Sequence, residues 1–333
     1  MSRSGLNRKT ALATATLVIA AEITDVDLLY RLGGPVVGFQ HHRGWTHSFA
    51  AVPVMAALAV ALVWGWRRLF RKERAERGTL AIANRPDLPV RWGLLYGYAC
   101  LAALTHLLLD YITSYGIRLF EPFSFKWYSW DIVYTVDPFM WLVLGLGLAV
   151  PTLFGLIHAK SGAHHAALSG RRGAVLGLLA IVLMWGFRDY QHRHVVTELN
   201  AQRYHGEKPV RADAYPYAWN PFVWHGVIET RNFFETLQVN TLGGDLDPED
   251  AVQTYDKPEE TPITIAAKKS GLGRVYLDWA RYPMTESTVV QGSVVAYRVR
   301  FYDLRSIRRL YASVDLDKNL HVLAQRFRGQ VQN

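Results

Sequence analysis

Three imidazoles and a guanidinium fall within the run His41-His42-Arg43-Gly44-Trp45-Thr46-His47-Ser48. An isolated histidine is more often an ordinary hydrogen-bonded residue than a ligand, so it is the clustering that points to a metal ion. A second group, Thr105-His106-Leu107-Leu108-Leu109-Asp110, puts a histidine and an aspartate four apart. On a helix such a pair projects from one face, a turn apart, and suits a single ion. Asp25 and Asp27 stand before the first group and Asp137 after the second. The candidate metal ligands are therefore Asp25, Asp27, His42, His47, His106, Asp110 and Asp137. Nitrogen and oxygen donors without thiolate fit a divalent ion, Zn²⁺ first and Mn²⁺ or Fe²⁺ after it, and carboxylates can bridge two ions where histidines alone hold one.

The elements that must position these residues are apolar. Half of the 333 residues are hydrophobic, and they crowd the first half in the runs 11–23, 49–66, 92–109, 132–157 and 174–187. A bilayer core about 30 Å thick takes about 20 helical residues, so the chain is expected to be an integral membrane protein with about five spans. The runs 11–23 and 174–187 are short spans, for which a buried re-entrant helix is the competing reading. A signal peptide is not expected, because the first run feeds into Glu22-Ile23-Thr24-Asp25 rather than a small-x-small cleavage site. Cys100, the sole cysteine, lies within the third run, so no intrachain disulfide can form.

The net charge of +9 and pI of 9.6 follow the membrane topology rather than a nucleic-acid partner. Arg3, Arg8 and Lys9 precede the first span, Arg67, Arg68, Arg71, Lys72, Arg74, Arg77, Arg85 and Arg91 follow the second, and Lys160, Arg171 and Arg172 follow the fourth. The intervening links hold only Arg31 and Arg43 in one and Arg118 and Lys126 in the other. The positive-inside rule then puts the amino terminus in the cytoplasm and the Asp and His clusters together at the outer face. Ionisable groups near bilayer depth are costly unless paired or functional.

These residues resemble the YdjM-like family of bacterial membrane-bound metal-dependent hydrolases. The resemblance rests on Thr24-Asp25-Val26-Asp27, on His42-Arg43-Gly44-Trp45-Thr46-His47-Ser48 and on His106-Leu107-Leu108-Leu109-Asp110-Tyr111-Ile112-Thr113-Ser114-Tyr115-Gly116. It covers the membrane half, and Asn220-Pro221-Phe222-Val223-Trp224-His225-Gly226 is similar to a signature in a long-tailed branch. It implies kinship with zinc-dependent phospholipase C and related nucleases, hence phosphoester hydrolysis at the outer face of the bacterial inner membrane, on a lipid or lipid-linked substrate. Relatives carry an acidic residue and Thr-His near the start, whereas this chain opens Met1-Ser2-Arg3-Ser4-Gly5, and a proline before the first aspartate is here Thr24. Either the start is truncated relative to the family or the site is assembled without that histidine. Candidate catalytic residues are Arg43, Asp27 and Thr46: a guanidinium can grip phosphate oxygens with two prongs, and a threonine can orient a ligand. The alternative for Arg43 is a structural pair with Asp25 or Asp27.

The link between Tyr115 and Tyr134 is dense in rings, which read as an interfacial belt or, more sharply, as a lid for an amphiphile. Asp131 within it is a further candidate ligand or an ordinary turn residue, and His41 is a spare. The chain divides into a helical membrane domain at 1–188, a connector at 189–215 and a small antiparallel β-rich domain at 216–333, placed outside by the odd number of spans. Val295 to Tyr302 and Leu310 to Leu316 alternate as half-buried strands, and 274–282 is a candidate helix. His225 either reaches the site or packs beside Trp224. Walker, dinucleotide-binding and Gly-x-Ser-x-Gly signatures are lacking, which sets those enzyme classes aside. Besides hydrolysis, the same residues admit a transporter or proton relay, or a metal-stabilised anchor whose β domain binds a partner.

Overall fold

The computed structural model describes residues 1–69, 88–160, 170–243, 252–290, 294–306 and 310–329. Arg71, Lys72, Arg74, Arg77 and Arg85, which carry much of the orientation reading, lie outside the described residues. The chain forms two compact units, Met1–Val26 with Arg43–Arg188, and Asp27–His42 with Asp189–Asn333.

The first unit is helical. Its elements are α1 (Ala13–Glu22), α3 (Val52–Leu69), α4 (Trp92–Tyr111), α5 (Pro138–Lys160) and the first part of α6 (Gly170–Ala201), α2 (Pro35–His41) belonging to the second unit. Among the described residues, three helices are long and apolar enough to cross a membrane: Val52–Leu69, Trp92–Tyr111 and Arg171–Ala201. Of the other two expected spans, α1 is short as a helix, whereas α5 runs through 23 residues. The ten residues of α1 rise only about 15 Å, half of a bilayer core. Of α5, the stretch Pro138–Pro151 is an apolar helix of intermediate length.

Small side chains hold this unit together. Ala13 and Ala20 of α1, Ala56 and Ala59 of α3, and Ala99 and Ala102 of α4 are buried in one cluster with Leu17, Leu95 and Tyr98. Lipid supplies no hydrophobic drive between helices, so close backbone approach through alanine does that work by dispersion. The same logic joins α5 to α6. A Cβ at Gly173 would collide with Pro151, and one at Gly147 would lie 3.1 Å from the Gly173 carbonyl. At the start of α5, the Asp137 carboxylate accepts from the Phe139 and Met140 amides at 2.9 and 3.1 Å, with Pro138 as the first helical residue. Aspartate at the cap followed by proline is a helix start that satisfies otherwise orphaned donors.

The second unit is rich in antiparallel β structure, as expected, and its described residues form two sheets. Strands β1 (Arg211–Pro216), β2 (Val223–Glu229), β3 (Phe233–Asn240) and β4 (Gln253–Asp256) form one in sequential order. Strands β5 (Pro283–Val289), β6 (Tyr297–Asp303), β7 (Leu310–Leu316) and β8 (Val322–Gly329) form the other. Helix α6 continues to Ala201 and β1 opens at Arg211, so much of the expected connector is regular structure. The end of α6 buries Val195 and Leu199 against Trp224, Ile228 and Leu237 of the first sheet. Tyr215, Val227 and Phe234 meet Tyr282, Met284, Tyr302 and Leu304 in a core shared by both sheets. Between the sheets lie α7 (Pro262–Lys269), opened by a Thr261–Thr264 capping box, and α8 (Gly271–Trp279), capped by Ser270.

Segment 27–42 enters this second unit through one ring. Phe39 of α2 is 4% exposed and stacks on Tyr276 and Phe327, with Trp279 at its edge. Gly38 makes the turn of α2 possible, because a Cβ there would lie 2.9 Å from the Arg31 Cα.

Candidate metal centre

Four residues of the first unit converge. Asp25 lies just beyond α1, in the 3-10 segment Ile23–Gly33. His47 closes the 3-10 turn Trp45–His47, tied by its amide to the Gly44 carbonyl at 2.9 Å, and Ser48 begins the approach to α3 by accepting from the Ala51 amide. Helix α4 presents His106 and Asp110 from successive turns, as their spacing predicts.

Ligand atoms of Asp25, His47 and His106 all lie within 4.8 Å of one another. The His47 Nε2 stands 3.3 Å from an Asp25 oxygen and 3.4 Å from Asp110 Oδ2, and the His106 Nε2 stands 3.5 Å from each of the same oxygens. Ligands about 2.0 Å from a tetrahedral ion are separated by about 3.3 Å, close to these four distances; the donors that all lie near one another are those of Asp25, His47 and His106, with Asp110 against both imidazoles. The His106 Nε2 and Asp110 Oδ2 are buried and lack an aligned hydrogen bond, as donor atoms kept for an ion would be. The neighbouring imidazoles, His106 first and His47 second, hold the Asp25 carboxyl well below the usual carboxylate range, against its partial burial. The Asp25 side chain is 37% exposed, whereas His47 is at 0%, His106 at 16% and Asp110 at 13%. The cluster is therefore open at its Asp25 edge.

A surrounding layer fixes these donors. Thr46 Oγ1 lies 2.9 Å from His47 Nδ1, which leaves Nε2 facing the carboxylates. Arg43 binds the far oxygen of Asp110 through Nη2 at 2.7 Å, and its Nη1 donates to Thr113 Oγ1 at 3.2 Å. The Tyr115 ring lies under the guanidinium at 4.9 Å. The Arg43 backbone sits at φ 51°, a costly conformation for a residue with a side chain, and its carbonyl accepts from the Arg118 amide at 3.1 Å. Arg43 thus pairs with Asp110 beside the cluster.

Other candidates fall elsewhere. Asp27 and His42 are not in the donor group; they pair with each other at 3.3 Å within the second unit. Asp137 is not in it either. Its carboxylate caps α5 and meets Arg188 at 3.0 Å, both groups being almost wholly buried, and this ion pair replaces the expected ligand role. Asp131, at φ 61°, accepts from the Ser129 hydroxyl, and His41 stacks on Tyr30 at 4.5 Å. His225 ties the two sheets, its Nε2 2.9 Å from the Leu304 carbonyl. Burial pushes its pKa below the ordinary histidine value, so the ring is neutral and Nε2–H donates. Arg188 and Tyr115 are the partners that sequence reasoning missed, and neither carries a local signal.

An uncharacterized Bacillus subtilis (strain 168) protein, YfhP, is 27% identical to this chain over 132 residues. That alignment covers 40% of the chain and 34% of the relative, so the chain matches about a third of that protein's length. No solved structure matches. The family model of the YdjM inner membrane protein matches residues 1–195, which include Asp25, His47, His106 and Asp110 with Arg43 and Thr46 beside them; the chain belongs to that family of membrane proteins.

Proposed function

We propose that this protein is a membrane-bound metal-dependent hydrolase acting on an ester, a phosphoester first, of a lipid or amphiphilic substrate at the outer membrane face. The observation that carries the reading is the group of Asp25, His47 and His106 donors within 4.8 Å, with Asp110 beside two of them. These side chains would hold a divalent ion, Zn²⁺ first by donor type. When bound, such an ion supplies Lewis-acid polarisation and lowers the pKa of water towards about 7. The chain's own residues do the rest. Thr46 keeps His47 in register, Arg43 holds Asp110, and the exposed Asp25 edge admits a reacting group.

The test is hydrolysis by purified protein loaded with Zn²⁺ or Mn²⁺, against phosphoesters, carboxylic esters and peptides. Turnover of a phosphoester lipid analogue is expected to need the metal, vanish with chelator and fall by orders of magnitude in Asp110→Asn. Arg43→Lys is expected to lower turnover while metal stays bound, because a point charge cannot grip Asp110 and Thr113 together. A folded, metal-loaded sample that turns over none of the three classes overturns the reading. The outward placement rests on five spans, with flanking residues completing α1. A reporter after Arg77 then reads cytoplasm and one after Asn333 reads outside, and a cytoplasmic carboxyl terminus refutes that topology.

A further inference from the structure

The outer face of the second sheet carries arginines in a pattern that the metal centre does not use. Along β6, Arg298 and Arg300 lie on one face, with Val299 and Phe301 buried on the other. Along edge strand β8, Arg326 and Arg328 repeat the spacing. Register brings them together. Arg300 stands opposite Ser313 of β7, which stands opposite Arg326; Arg298 stands opposite Asp315; and Tyr311 stands opposite Arg328. These four arginines, Tyr311 and Ser313 line a cavity of about 310 Å³.

A merely solvated sheet face mixes charges of both signs, since like charges placed across strands repel. Here, among the described residues, four arginines line the cavity and no carboxylate does; the acidic residue opposite Arg298 in the register lies beneath and is committed. Asp315 is fully buried and receives Arg298 Nε at 2.7 Å, Arg298 Nη2 at 3.0 Å and Arg326 Nη1 at 2.5 Å. It positions two forks from beneath while leaving Arg300 and Arg328 exposed beside them. Glu286, on neighbouring β5 opposite Arg300, accepts from the Tyr302 hydroxyl at 2.7 Å. The Tyr311 ring lies 5.8 Å from the Arg300 guanidinium and forms an apolar side wall.

We propose that this cavity is an anion-binding site for a phosphoryl group carried on a small organic body. Convergent guanidinium forks match the several oxygens of a phosphate better than the single plane of a carboxylate. The volume, at the lower end of the roughly 300–1,000 Å³ of small-molecule pockets, admits more than a bare ion. The phosphoryl group can come from a soluble phosphate ester or from a lipid headgroup, and the experiment separates these sources.

Full-length protein in detergent, treated with chelator so that the metal centre contributes nothing, is titrated calorimetrically with glycerol phosphate, with short-chain phosphatidic acid and with short-chain phosphatidylcholine as control. Glycerol phosphate and phosphatidic acid, which end in a phosphomonoester, are expected to bind, more weakly as salt rises, and at least about tenfold more weakly in Arg300→Gln/Arg328→Gln, whereas phosphatidylcholine, whose phosphodiester is capped by a quaternary ammonium, is not. Equal affinity for glycerol phosphate and phosphatidic acid assigns a soluble ester. A tighter phosphatidic acid, with the margin lost in the variant, assigns a lipid headgroup. Both substituted side chains are exposed, and an unchanged melting curve checks the fold; if the double variant melts early, Arg328→Gln alone must still weaken binding. Absence of binding, or equal binding by wild type and variant, overturns the proposal.

Discussion

Thr46→Val tests whether the donor cluster is a metal site with a supporting layer. The substitution keeps the shape of the side chain and changes no charge, but it removes the hydroxyl 2.9 Å from His47 Nδ1. Loss of a partner that orients a ligating imidazole costs about 10–100-fold in metal affinity, or about 1.4–2.7 kcal/mol. The effect on the metal-free fold is smaller, about 1 kcal/mol for one hydrogen bond, so the variant folds while its metal binding falls. Competition against a chromophoric chelator measures affinity directly. Melting at a fixed excess of metal cross-checks it, because each tenfold loss in affinity removes about 1.4 kcal/mol of metal-linked stability. Thr46→Ser restores the hydroxyl and is expected to restore the affinity. If Thr46→Val binds metal as the wild type does, or Thr46→Ser loses it equally, then the hydroxyl does not orient His47 towards an ion and the reasoning fails.

Other expectations concern the frame. Asp137→Asn keeps the cap of α5 but leaves Arg188 buried without its counter-charge, a loss of about 3–5 kcal/mol seen as early melting in detergent; replacing both residues by apolar ones should cost less. Phe39→Ala, which empties the site between Tyr276, Trp279 and Phe327, is expected to cost about 3–5 kcal/mol and to raise hydrogen exchange across 27–42. Burial depresses the pKa of His225, so as the pH falls the unfolded chain takes up this proton before the folded one does. Its contribution to stability is complete above the unfolded value of about 6.5 and is lost as the pH falls from there towards the depressed folded value. In His225→Gln, which keeps a donor for the Leu304 carbonyl, that slope should flatten in melting curves taken across the window.

Local periodicity made part of this molecule legible. The four-residue spacing of His106 and Asp110 places both on one face of α4, and apolar run length located α3 and α4. Alternation of apolar and polar residue types along 310–316 located β7 end to end, although Ser313 and Asp315 on its polar face are buried as well. Run length did not settle the span count, since α1 ends after ten residues where the chain turns into a 3-10 segment bearing Asp25. The strands of the first sheet were harder to read. β2 is buried along almost its whole length, and a strand covered on both faces shows no alternation.

By itself the sequence determined which stretches are apolar helices, which alternate as strands, and which residue types are available to hold an ion, since each of these is a property of neighbours in the chain. Tertiary structure decided the partners. Asp25, His47 and His106 come from three separate segments, and their meeting depends on alanine faces that draw α1, α3 and α4 together. Arg43 settles on Asp110 and Asp137 on Arg188 because a buried charge takes the counter-charge that packing brings within reach, not one nearby in sequence. Periodicity states which face of an element is apolar or ligating; only long-range packing states what that face meets.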